Sequence, residues 1–127
     1  MTWEKWIADT KRYLESTWGL NSVFAESVAL LLAYFLSYGL SPHITSGFRS
    51  QREQDDLYRR WLAGEPGIYK PSKTVGKHGT TGFLGAKSAL AVDIATNNHS
   101  YAAQIARALK IGTGLDFNDP VHFFQKD

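Results

Sequence analysis

The 127-residue chain has no cysteine, a single methionine and only four histidines. Without cysteine there is no disulfide framework, no thiolate zinc finger, no iron–sulfur cluster and no thiol nucleophile. Any metal must therefore be held by His, Asp or Glu. Long apolar runs are also missing. The stretch from Ser27 to Phe48 carries no formal charge, but Gly39, Pro42 and His43 interrupt it and its apolar part stops near Leu40. That falls short of the ~20 residues a membrane span needs, so it reads as a buried helix and no span is expected. Acidic residues are absent between Pro66 and Val92, where Lys70, Lys73, Lys77 and Lys87 stand. This segment is either a solvated loop or a basic rim for a polyanion. A net charge of +2 is too slight to argue for nucleic acid, and none is expected as a partner. The opening Met1-Thr2-Trp3-Glu4-Lys5-Trp6 is amphipathic and mixed in charge, so no signal peptide is expected.

What is present is globular. Apolar residues make up 43% and charged residues 20% of the chain, with four Trp, six Tyr and seven Phe to fill a core. The length suits a single domain over 1–127, with a helical part over 1–40 and the remainder over 41–127. Trp3, Ile7, Leu14 and Trp18 recur at helical spacing and predict an amphipathic helix over about 2–17. A second helix over about 22–38 is apolar nearly all round and should be the core helix. A short strand is expected over 44–48. The Ser50…Glu53 capping box then starts a third helix, whose apolar face is Leu57, Tyr58, Trp61 and Leu62 and which ends at Gly64. From 65 to about 88 no periodicity persists, and a structureless stretch that long is usually functional or mobile. Residues 89–95 read as a buried strand. Asn98 or Ser100 caps a fourth helix with Gly112 after its end, and strands are expected near 114–117 and 121–124. Helices first and strands later indicate an α+β fold, with the N-terminal helices packed on a small, mainly antiparallel sheet.

Two residues break this pattern. Asp93 lies inside the apolar run Ala89–Ala95, and an unpartnered carboxylate there is costly to bury. His122 is likewise a polar residue among Val121, Phe123 and Phe124. Asp93 could be a satisfied carboxylate at a strand end, and a lone His in such surroundings is more often a packed core residue than a ligand, but two such residues on neighbouring strands suggest a shared cation. Together with one more His they would make a three-ligand zinc site with an open position. Asp119, three residues before His122, would then be placed to take a proton from water. Gly82–Ser88 has the look of a phosphate-binding loop, yet Ala86 and Thr81 stand where that pattern requires glycines.

At this point the chain resembles a known family. Ser46-Gly47-Phe48-Arg49-Ser50, followed by Gln54, Leu57 and Tyr58, is similar to the opening motif of the zinc D-alanyl-D-alanine carboxypeptidases and the related L-alanyl-D-glutamate endopeptidases of phage endolysins. Ala91-Val92-Asp93-Ile94 is similar to the end of their Ser-x-His-x-x-Gly-x-Ala-x-Asp motif, and Asp119-Pro120-Val121-His122-Phe123 to their Asp-x-x-His-Phe ending. The resemblance runs in order from about Ile44 to Phe124. It implies a zinc D-Ala-D-Ala peptidase-like fold, with Asp93 and His122 as metal ligands and Asp119 as general base. Arg49 would be both a catalytic and a substrate-binding residue, holding a substrate carboxylate or the developing oxyanion. The implied cofactor is zinc, and the implied partner is the peptidoglycan stem peptide. The implied setting is a phage lysis enzyme or a virion-associated wall-degrading protein, phage-encoded or cytoplasmic until it is released to the cell wall.

The chain departs from the family at the first ligand. That position, seven before Asp93, holds Ala86, and Ala89 stands where the motif has Gly. The nearest upstream histidine is His78, fifteen positions before Asp93. Either a Gly-rich insertion lets His78 reach the metal, or the ligand is lost and an inactive member of the fold acts as a wall-binding or structural protein. His78 is taken as the third ligand, ahead of His43 and His99.

Overall fold

A computed structural model of the chain describes residues 2–68 and 70–127. It is α+β, with four α-helices and one four-stranded antiparallel sheet. Helix α1 (Trp3–Trp18) starts at Thr2, whose side chain accepts from the Lys5 N–H, and stops at Gly19 in the left-handed conformation. Helix α2 (Ser22–Ser37) is capped by Asn21 and buries eight residues, among them Phe24, Val28, Leu31 and Phe35. It supplies much of the core, as expected, but its apolar surface is not buried all round, since Val23, Leu30, Tyr34 and Leu36 are exposed. No helix among the described residues is long and apolar enough to cross a membrane.

The strands are β1 (His43–Ser46), β2 (Ala91–Ala95), β3 (Ile111–Thr113) and β4 (His122–Gln125), in the spatial order β1-β2-β4-β3. Alternation along β2 and β4 sorts side chains between two faces. Val92, Ile94 and Phe123 are fully buried against the helices, and the Phe35 and Phe123 rings meet edge-on at 6.0 Å. Asp93 and His122 lie on the opposite face, directly across from one another in the register.

Three sequence expectations shift. The strand expected over 114–117 is a 3₁₀ turn (Leu115–Phe117), and β3 instead precedes it. Helix α4 (His99–Ala108) ends early because Lys110 adopts φ 62°, which turns the chain straight into β3. Gly112 is therefore a strand residue, required because a Cβ there would sit 2.3 Å from the Phe124 ring. Helix α3 (Gln51–Leu62) has the predicted capping box but adds nothing apolar to the core. Leu62 is 65% exposed, and the one buried residue of α3 is Gln54. The 65–88 stretch contains two 3₁₀ turns, Gly76–Gly79 and Phe83–Gly85, with a bridge between Thr81 and Lys87.

Candidate metal centre

The site is assembled by the sheet register and one bulge. Asp93 pairs with His122 across β2 and β4, so their side chains stand side by side on the open face. On the other side of Asp93, the β1–β2 register slips between Ile44 and Ser46 and brings Ser46 opposite Asp93. Such a slip re-aims the side chains that follow. Ser46 Oγ then accepts from Arg49 Nη2 at 2.6 Å, which turns the guanidinium back over the sheet.

His78 comes from outside the sheet and is only 6% exposed. Its Nδ1 lies 2.8 Å from the Gly47 carbonyl, and its own carbonyl accepts from the Arg49 N–H at 2.9 Å. These two bonds fasten the Gly76–Gly79 turn to the segment 47–49. Gly47 is required there because a Cβ would lie 2.3 Å from the Trp18 carbonyl oxygen. On the other flank, Leu90 N–H donates to Lys77 O at 2.8 Å and Ser88 N–H to Thr80 O at 3.0 Å. Residues 81–87 are thus a hairpin excursion, and they hold the chain length that separates His78 from Asp93 in sequence.

Three atoms converge. His122 Nδ1 is 3.2 Å from Asp93 Oδ1, His78 Nε2 is 3.3 Å from His122 Nδ1, and His78 Nε2 is 3.4 Å from Asp93 Oδ1. A tetrahedral ion with bonds of about 2.0–2.1 Å has ligand–ligand edges of about 3.3–3.4 Å, so the triangle matches one face of that tetrahedron. The tautomer agrees. A carbonyl can only accept, so a His78 proton belongs on Nδ1 toward Gly47, which leaves the Nε2 lone pair directed at the centre to take an ion or a second proton. That lone pair faces a carboxylate oxygen and a second imidazole nitrogen, an arrangement that calls for a cation or a proton. His78, Asp93 and His122 are therefore a group able to hold a metal ion, the only such cluster among the described residues.

Charge around the centre is uneven. Burial alone would raise the Asp93 carboxyl, but hydrogen bonds and charge from His122 and His78 outweigh it and hold that group well below the usual carboxylate range. Its second oxygen, Oδ2, is 3.6 Å from Arg49 Nη2, so Arg49 is also a counter-charge to Asp93. Asp119 moves the other way. Burial and the neighbouring Asp93 charge raise it, against the pull of His122, His78 and Arg49. All five predicted site residues, Arg49, His78, Asp93, Asp119 and His122, line one cleft of about 820 Å³.

Other predicted features lie elsewhere. His43 is exposed on the edge strand β1, His99 opens α4 half-buried, and Ala86 is exposed in the 81–87 hairpin. The four lysines do not form one rim. Lys70 and Lys73 lie over Trp61 and Tyr58, Lys87 lies over Phe48, and Lys77 lies over Phe124 while donating to the Gln125 carbonyl. Only Lys70 and Lys77 among them reach the cleft. Sequence reasoning missed the part played by Gln54, whose signal was its spacing. It precedes Leu57, Tyr58 and Trp61 by three, four and seven positions, which puts an amide on the inward stripe of α3. No protein-family model matches the chain, and no curated protein matches it.

Proposed function

We propose that the chain is a zinc-dependent peptidase of the D-alanyl-D-alanine carboxypeptidase and L-alanyl-D-glutamate endopeptidase type, acting on a peptide bond of the peptidoglycan stem. The observation that carries this reading is the tetrahedral-sized triangle of His78, Asp93 and His122 in a cleft that also presents Asp119 and Arg49. The ordered resemblance from Ile44 to Phe124 supplies the substrate class.

His78, Asp93 and His122 would hold the zinc. Bound there, the ion supplies Lewis-acid polarisation of a carbonyl and lowers the pKa of water. Asp119, which lines the same cleft as the three ligands, would take the proton of the attacking water. Arg49 compensates negative charge that develops on the substrate, or holds a substrate carboxylate. The Gly47 carbonyl fixes the His78 ring so that Nε2 stays available. In this reading the protein works at the cell wall, in the setting of phage lysis or of virion-borne wall cleavage.

The test is incubation of the full chain, with one equivalent of zinc, with purified peptidoglycan and with soluble stem peptides. New amino termini, identified by mass spectrometry, should appear, vanish with chelator and return on zinc addition. Wall sedimentation without any new amino terminus would replace the reading with that of a non-catalytic wall-binding protein.

A further inference from the structure

One wall of the cleft that holds the metal ligands is formed by the segment 70–75, which has no regular secondary structure and is largely exposed. Helix α3 holds it nonetheless. Gln51 Nε2 donates to the Lys73 carbonyl at 2.8 Å while its Oε1 accepts from the Val75 N–H at 2.9 Å, as a neighbouring strand would. Lys73 lies over Tyr58 at 6.0 Å and Lys70 over Trp61 at 5.7 Å. One turn along the helix from Gln51, Gln54 Nε2 donates to the Ser72 carbonyl at 2.6 Å.

Gln54 differs from these other fastenings because its second end reaches the site. Its Oε1 accepts from Arg49 Nη1 at 2.7 Å, and the residue is only 3% exposed. Arginine can only donate and a carbonyl can only accept, so the amide has one satisfied orientation. Flipping it would set donor against donor and acceptor against acceptor in a buried place, and each unmet group there is costly. The amide thus transmits orientation in one piece from the wall to the guanidinium.

We infer that Gln54 is a positioning residue that couples the segment 70–75 to Arg49, so that the cleft wall and the guanidinium are set together. The kinetic consequence rests on the peptidase reading; the coupling itself does not. Glutamate and leucine separate the two ends of the amide. Gln54→Glu keeps the acceptor for Arg49 and sets an oxygen against the Ser72 carbonyl. Gln54→Leu removes both bonds.

The experiment is NMR on the full chain. In the unaltered protein the Arg49 guanidinium should give resolved, slowly exchanging Nη signals and the Val75 amide should be protected from hydrogen exchange. Gln54→Glu should keep the Arg49 signature while Val75 protection falls about tenfold, and Gln54→Leu should lose both, with core amides such as Phe123 unchanged. Unchanged Arg49 and Val75 signals in Gln54→Leu would overturn the inference, as would losses that only follow a general drop in core protection. If Gln54→Leu does not fold, the split response of Gln54→Glu decides the matter alone. With stem peptide as substrate, Gln54→Leu should lower kcat more than it raises KM. Combined with Arg49→Ala it should add less than about twofold, because it acts through that residue. A wild type that cleaves no stem peptide removes the peptidase reading, and the NMR result still stands or falls independently.

Discussion

On the helix-facing side of β2 and β4, Val92, Ile94 and Phe123 are fully buried in the apolar core that residues of α1, α2 and α4 also fill. On the other side of the same strands, one residue away along the chain, Asp93 and His122 open onto a cleft and are surrounded by charge. The first face is held by burial, which is non-directional and tolerant of detail. The second is held by directed bonds: Gly47 to His78, Ser46 and Gln54 to Arg49, and α3 to the segment 70–75. Stability and site chemistry are thus interleaved at a period of two residues, yet each should be breakable without the other.

The largest expected effect is on the buried face. Phe35→Ala removes a fully buried ring packed on Phe123 and should cost ~3–5 kcal/mol in denaturant unfolding. The folded fraction should still bind zinc. A loss of zinc binding in fully folded protein would mean that the two faces are not separable.

On the open face the effects are smaller and depend on pH. Asp93→Asn should destabilise the metal-free protein by ~1–3 kcal/mol at neutral pH, because it removes a charged hydrogen-bond acceptor and the counter-charge of Arg49. The folded-state pKa of Asp93 lies below its unfolded value near 3.9. Its contribution is therefore present above that unfolded value and is lost as pH falls through the folded one. Unfolding curves from neutral to strongly acidic pH should show the gap between variant and wild type closing at the acid end; a gap that widens there contradicts the assignment.

Asp119→Asn should have the opposite sign and a smaller size. The charged Asp119 is disfavoured by burial and by Asp93, so the substitution should raise the melting temperature of the metal-free protein slightly at neutral pH. That gain should shrink as pH falls through the raised pKa, where the wild-type carboxyl is already neutral. Hydrolysis should drop about 10²–10⁴-fold at the same time. A variant that is less stable and still active would refute the role given to Asp119.

Smallest is the 81–87 hairpin. Leu84 is 90% exposed and holds φ 55°, a left-handed conformation that disfavours leucine. Leu84→Gly relieves that strain but adds freedom to the unfolded chain, so stability should change by only a few tenths of a kcal/mol. Zinc affinity should not change. A weaker site in this variant would show that the hairpin does more than carry chain between His78 and Asp93.

The buried face was largely legible in the sequence. Apolar spacing in α1, α2 and α4 and the run before Asp93 are local signals of burial, and they placed the helices and β2 within a few residues. Leu57, Tyr58, Trp61 and Leu62 misled, since an apolar stripe does not say whether it meets a core or a loop. In α3 it meets the lysines of the segment 70–75. The strand expected over 114–117 failed for a related reason. Gly112 looked like a helix stop, whereas the Phe124 ring across the sheet, a non-local contact, is what requires it. In the site, Asp93 and His122 stood out as polar residues in apolar strands. The approach of His78 depends on the turn that bonds to Gly47, and the placing of Ser46 depends on a β1–β2 slip; neither leaves a local pattern.

The central claim is that His78, Asp93 and His122 form one metal site, and the direct measurement is zinc content and affinity at pH 7 to 8. Wild-type protein freed of metal and titrated with zinc should bind one equivalent. Affinity should weaken in acid, because the ligands must be deprotonated to hold the ion. His78→Ala and His122→Ala should each lose most of that affinity while His43→Ala and His99→Ala bind like wild type. If wild type binds no zinc, or His78→Ala binds it as tightly as wild type, the account of this site is wrong.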